Sequence, residues 1–143
     1  MYKYFIILLI AFVSSQSFGQ QKLDWDLCLD IQYKWQYSIE YATWYEKPLF
    51  NNEIQKLDGK TVEVQGFIIP YDVVNNKYFI SLYPNSSCFF CQQAGKETVI
   101  QLDLKNQETF EVDQVVTLKG RFKTEEKPFE MPYILKEAVV VKK

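Results

Sequence analysis

"TVEVQGFIIP", Thr61 to Pro70, decides the fold. Val62, Val64, Gly66 and Ile68 fall on one side of an extended chain, because a strand sends successive side chains to opposite faces. Gly66 interrupts an otherwise apolar row, and a glycine inside a strand marks a bulge or a tight bend. Pro70 is expected to close the run, since it has no N–H to offer a ladder. The signature returns in "QVVTLKGRFK", Gln114 to Lys123, where Val116, Leu118, Gly120 and Phe122 alternate. Two strands lie between them: "KYFISLY" after the Asn75-Asn76 turn, and "ETVIQLDL" from Glu97 to Leu104. "YILKEAVVV", Tyr133 to Val141, is the last. Five strands with bends in the first and fourth predict a mainly β protein. Its expected form is a small five-stranded OB-like β-barrel over residues 58–143.

Residues 20–57 read as an N-terminal extension of strand plus short helix. From Trp25 to Tyr41 an apolar or aromatic residue stands at every second position, which predicts extended chain in one or two strands. Such a row can be a ligand-stacking face; a half-buried strand is the expectation favoured here. Pro48 should bar a strand interior. Asn51 or Asn52 can cap a short helix through Glu53–Leu57, which Asp58-Gly59 then ends. "TEEKPFEMP", Thr124 to Pro132, reads as a charged, solvated loop, with Glu125 and Glu126 facing water.

The first residues have the layout of a secretory leader: Lys3, then the apolar run Phe5 to Val13, then small polar residues. The run is too short to span a bilayer. Cleavage is expected before Gln20, leaving a periplasmic or secreted chain with no stable membrane span. Losing Lys3 takes the formal charge from −2 to −3. With Arg121 as the single arginine, clustered phosphate contacts and nucleic-acid binding are not expected. The chain has no histidine. That removes histidine-dependent nucleophilic catalysis, imidazole-ligated metal and the usual covalent haem motif. No other acid–base constellation is visible, so the chain reads as non-enzymatic.

The remaining chemistry sits in "SSCFFCQQAG", residues 86–95, with Cys88 and Cys91 bracketing Phe89 and Phe90. A redox dithiol usually opens a helix, whose N-terminus stabilises the thiolate. The short stretch between Cys91 and the next strand leaves little room for one. Two thiolates can hold Cu(I) or half a zinc site, which Cys28 and a carboxylate, or a second subunit, would complete. A disulfide in an oxidising compartment is the third reading. A Cys88–Cys91 bond would contribute about 1.9 kcal/mol by loop entropy, and a bridge from Cys28 about 4.3 kcal/mol. The longer bridge needs close approach of distant segments. The expectation is a Cys88–Cys91 bond and a buried, free Cys28. Phe89, Phe90, Gln92 and Gly95 then form an interaction loop.

The runs "LDGKTVEVQGFIIP", "SSCFFCQQAGKETV" and "YILKEAVVV" resemble a family of secreted bacterial proteins classed as a domain of unknown function. The resemblance spans Trp25 to Val141 and is strongest over Leu57–Pro70 and Cys88–Gly95. Members read C-F-F-C-G-G-A-G-P where this chain has Gln92, Gln93 and Lys96. The resemblance implies an extracytoplasmic barrel and a link to envelope transport. The expectation is therefore a binding or accessory module without a cofactor, meeting an envelope protein or small ligand through the C-F-F-C loop. A zinc or copper protein is the alternative, and a thiol-disulfide oxidoreductase the second.

Overall fold

The computed structural model describes residues 21–87 and 94–143. In chain order these form β1 (Gln21–Lys22), α1 (Trp25–Leu29), β2 (Ile31–Ser38), β3 (Thr43–Phe50) and α2 (Asn52–Leu57). The barrel strands follow: β4 (Thr61–Asp72), β5 (Lys77–Ser81), β6 (Val99–Leu104), β7 (Val115–Thr124) and β8 (Tyr133–Lys142). The leader and its cut before Gln20 lie outside the described residues. So do Cys88, Phe89, Phe90, Cys91 and Gln92. Among the described residues, no helix is long and apolar enough to cross a membrane.

The barrel order is β4-β5-β6-β8-β7, closed by β7 pairing back onto β4. Only β6 and β8 run parallel within it. This is the OB-like barrel expected from the two glycine-bearing strands. Closure depends on β4, which pairs with β7 from Thr61 to Phe67 and with β5 from Phe67 onward. One strand thus serves two neighbours and must bend where they meet. A Cβ on Gly66 would lie 2.5 Å from the Ser81 carbonyl oxygen and 2.9 Å from Ile80 Cγ1. A Cβ on Gly120 would lie 2.7 Å from the Lys136 oxygen and 2.9 Å from Leu135 Cγ. Both glycines let backbones approach at a coiled corner.

Pro70 does not end β4, which continues to Asp72 through a register shift against β5. Past Ile68, whose backbone still bonds Asp113 and Gln114, the paired strand of β4 is β5 alone, so a missing donor on the other side is tolerated. β1 pairs parallel with Val62 and Glu63, ahead of the β4 segment that pairs with β5.

The extension departs from the period-2 expectation at its start. Trp25–Leu29 is a helix, because Asp24 accepts a hydrogen bond from the Asp26 amide at 3.0 Å and caps it. Trp25 and Cys28, one turn apart, then pack on the same core. Strand begins only at Ile31. Pro48 lies inside β3, opposite Tyr33. The β2–β3 ribbon has two strands, so β3 keeps an edge that needs no donor. Asn51 caps α2 by accepting from the Ile54 amide at 2.8 Å. Its own amide donates to the carbonyls of Leu27 and Asp30, at 2.9 and 2.7 Å. One side chain thereby starts α2 and satisfies the end of α1. Gly59 follows at φ +79°, and its amide donates to Phe122 O at 2.7 Å.

Inward residues of all five barrel strands form one core, and Leu23, Cys28, Ile54 and Leu57 of the extension belong to it. Each fully buried aliphatic such as Ile54 contributes about 1.5–3 kcal/mol. At Gly120 the clashing atoms include backbone, which cannot swing aside. Gly120→Ala is therefore expected to cost about 2 kcal/mol of stability, read from urea denaturation. A cost near zero would mean that the β7–β8 corner is not closed as described.

Candidate functional site

The ribbon builds one wall of a groove. On one face, the pairs Ile31–Phe50, Tyr33–Pro48, Trp35–Glu46 and Tyr37–Trp44 stand directly opposite. Aromatic and β-branched side chains favour such a pleated surface, and Tyr37 and Trp44 meet edge-on at 5.5 Å. The inner pairs anchor the ribbon: Ile31 and Phe50 pack on the core, and Phe50 lies 5.7 Å from the Tyr133 ring. The outer pairs run past the barrel, leaving Trp35 67% and Trp44 63% exposed. The half-buried strand is thus correct for the base of the ribbon only; its outer half is an uncovered aromatic face.

The facing wall is the β7–β8 loop. Residues 124–132 do not simply face water: Pro128 and Pro132 are buried, and Lys47 pairs with Glu126 at 2.6 Å. Glu125 accepts from the Glu126 and Lys127 amides at 3.0 and 3.1 Å. Phe129 sits at φ +67°, a left-handed conformation that costs a bulky residue roughly 1–2 kcal/mol. Its ring is 82% exposed and stands 6.1 Å from Tyr41 at the ribbon tip. Between the walls is a groove of about 440 Å³, lined by Tyr33, Trp35, Trp44, Lys96, Phe129 and Met131 among others. Surface ion pairs contribute only about 0–1 kcal/mol, so the apolar base, more than Lys47–Glu126, holds the ribbon.

Lys96 ties the groove to the C-F-F-C loop. It follows Gly95, lies 4.6 Å from the Tyr33 ring centre and pairs with Glu46 at 3.7 Å. Tyr33 donates to Glu97 at 3.3 Å. Burial, then the Glu97 carboxylate, push the Tyr33 hydroxyl well above its ordinary value, so it remains a donor. Gly95 is the one predicted loop residue that lies within the described chain. Its carbonyl accepts from the Thr98 hydroxyl at 2.7 Å and the Thr98 amide at 3.1 Å. Its φ of −79° is open to any residue, but a Cβ there would run into the Glu97 carboxylate, so a side chain would displace the group that Tyr33 bonds. The other end is fixed by the Asn85 amide donating to Asp113 at 2.6 Å. Cys88, Phe89, Phe90, Cys91 and Gln92 themselves lie outside the described residues. Among the described residues, no group of three Cys, Asp or Glu gathers as a metal site.

Cys28 is a free, fully buried thiol. Burial, with a smaller push from Asp24, raises it to about 12, so it stays protonated and inert. Asp58 receives the Thr124 amide at 2.9 Å and the Lys123 ammonium at 2.9 Å, fixing the root of the groove wall. Partial burial alone would raise its carboxyl; these donors outweigh that and hold it below the ordinary value.

Comparison with known proteins adds little beyond this geometry. No protein-family model matches the chain, and no curated protein does. Among solved structures it is similar to a DUF3299 family protein from Pseudomonas aeruginosa, at 16% identity and a TM-score of 0.45. That similarity covers 62% of this chain and 65% of the other.

Two outcomes follow. Cys28 should resist maleimide at pH about 8 in the native protein and react fully in denaturant; rapid native labelling at Cys28 would contradict its burial. The Asp58 carboxyl is depressed on folding, so its stabilisation is complete above the ordinary carboxyl range and disappears as pH falls through the depressed value. Asp58→Asn should thus destabilise the protein at neutral pH, and the difference should shrink in acid. Parallel acid profiles for the two proteins would contradict the assignment.

Proposed function

We propose that the protein is a non-enzymatic, extracytoplasmic binding module. Its recognition surface joins the C-F-F-C loop to the groove between the ribbon and the β7–β8 loop. The observation that carries this reading is the uncovered aromatic face of Trp35, Trp44 and Phe129, bordered by Lys96 just after the loop. Large exposed apolar patches with polar rims mark interaction sites more often than bare surface. Trp and Tyr present wide contact area with few torsions to freeze, which suits them to such sites. The groove also holds ionic groups at its edge, Glu46 paired with Lys96, to orient an occupant. The occupant is an envelope protein or a small ligand carried with one, in keeping with the transport link that the family resemblance implies.

The test uses the secreted full chain, crosslinked in cells and recovered with its neighbours. Trp35→Ala with Trp44→Ala should leave stability within about 1 kcal/mol, because these rings are exposed. That pair, and separately Phe89→Ala with Phe90→Ala, should each remove the same crosslinked partner. Retention of the partner by both variants would sink the reading. Stoichiometric zinc or copper lost on Cys88→Ser would favour the metal protein instead, and turnover of a disulfide substrate would favour the oxidoreductase.

A further inference from the structure

A second cleft, distinct from the aromatic groove, lies where the N-terminal segment runs beside β4. Its volume is about 540 Å³, within the range of small-molecule sites. Three interactions build it. β1 pairs with β4, the Leu23 amide donates to Glu63 O at 2.7 Å, and Trp25 Nε1 donates to Gln65 O at 2.8 Å. The segment is thereby held along the edge of β4 that β5 does not reach. Glu63 belongs to the outward face of β4, opposite in direction to the core residues Val62 and Val64. An outward glutamate on a barrel is ordinarily solvated; this one is 8% exposed.

Glu63 lines the cleft, and its Oε1 is buried without a hydrogen-bond partner. Among the described residues no lysine ammonium lies within ion-pair distance of its carboxylate. Lys22 stands beside it on β1 and Lys119 across from it on β7. Yet Lys22 is exposed at the rim, and Lys119 lines another cleft with Lys105 and Arg121. A buried carboxylate left unpaired is costly, so a group that supplies an N–H donor there gains more than it would at the surface. Asp24, also on the cleft, already accepts from the Asp26 amide as a helix cap. The walls carry Leu23, Trp25 and Val141, and Lys142 joins Lys22 at the rim.

We propose that this cleft binds a small zwitterionic amine with an apolar stem, an amino acid being the simplest form. Its ammonium group donates to Glu63 on the floor. Its stem lies on Leu23, Trp25 and Val141. Its carboxylate faces Lys22 and Lys142. The charge order, a Glu63 floor beneath Lys22 and Lys142 with Asp24 engaged as a helix cap, favours this class over a divalent cation, which needs several oxygen ligands, and over a simple anion. The site stands on observations independent of the aromatic groove, so either can fail alone.

The probe is norleucine, and its comparison is hexanoate, the same chain without the ammonium group. Both are titrated into the full chain by NMR. Norleucine should shift the Trp25 indole and the Glu63 and Gln65 amides saturably, and hexanoate should bind at least about tenfold more weakly. Glu63→Gln keeps the shape and removes the charge; it should weaken norleucine by about tenfold or more while the barrel spectrum persists. Equal binding of both compounds overturns the proposal. So does the absence of a saturable shift at Trp25, or unchanged affinity in Glu63→Gln. The two-ligand comparison on the unaltered chain decides the matter if that variant does not fold.

Discussion

Tyr133 is the point on which the rest of the structure depends. Its ring is fully buried, stacks on Phe122 at 5.5 Å and touches Phe50. Its hydroxyl donates to the Cys28 carbonyl at 2.9 Å. One side chain on β8 thus joins β7 to the ribbon and α1, which lie some distance earlier in the sequence. Burial drives the hydroxyl well above its ordinary value, so it stays a donor. A buried carbonyl left unpaired costs about 1–3 kcal/mol, and Cys28 O needs this partner because it sits in the last turn of a five-residue helix. The extension is therefore the stopper of one end of the barrel. Phe110 does the same at the other end, edge-on to Tyr78 at 5.1 Å.

The barrel was legible because its strands carry their own information. Alternation fixes which side faces the core, and Gly66 and Gly120 mark the corners where backbones meet. α2 was legible through its cap and its terminal Asp58-Gly59. The extension was not, because its apolar residues answer to contacts rather than to period. Trp25, Leu27 and Leu29 fit a strand in sequence, while the Asp24 cap and the Tyr133 hydroxyl select a helix. Pro48 argued against a strand that needs no donor at that position.

The candidate sites were less readable, for the same reason. The alternating aromatics of the ribbon were visible, but their exposure depends on where the barrel ends beneath them. The β7–β8 loop looked solvated because nothing local announces that Lys47 would meet Glu126. Glu63 carried no signal at all: its burial arises from a segment forty residues earlier in neither pattern nor period, only in the pairing of β1 with β4. Both the groove and the cleft are products of the extension lying on the barrel. Chemistry that no single segment encodes appears at the seam between them.

That seam gives the account its most direct test, native-state hydrogen exchange across α2, the ribbon and the barrel strands, with and without Ile54→Ala. Ile54 is fully buried between extension and barrel. If the extension is an integral stopper, amides of α2, β4 and β7 should lose protection together by about 2–5 kcal/mol, as expected for such a truncation in a shared core. If α2 and the ribbon exchange freely while β4 and β7 keep their full protection, the extension is a separate appendage and the groove is not a built feature of the fold.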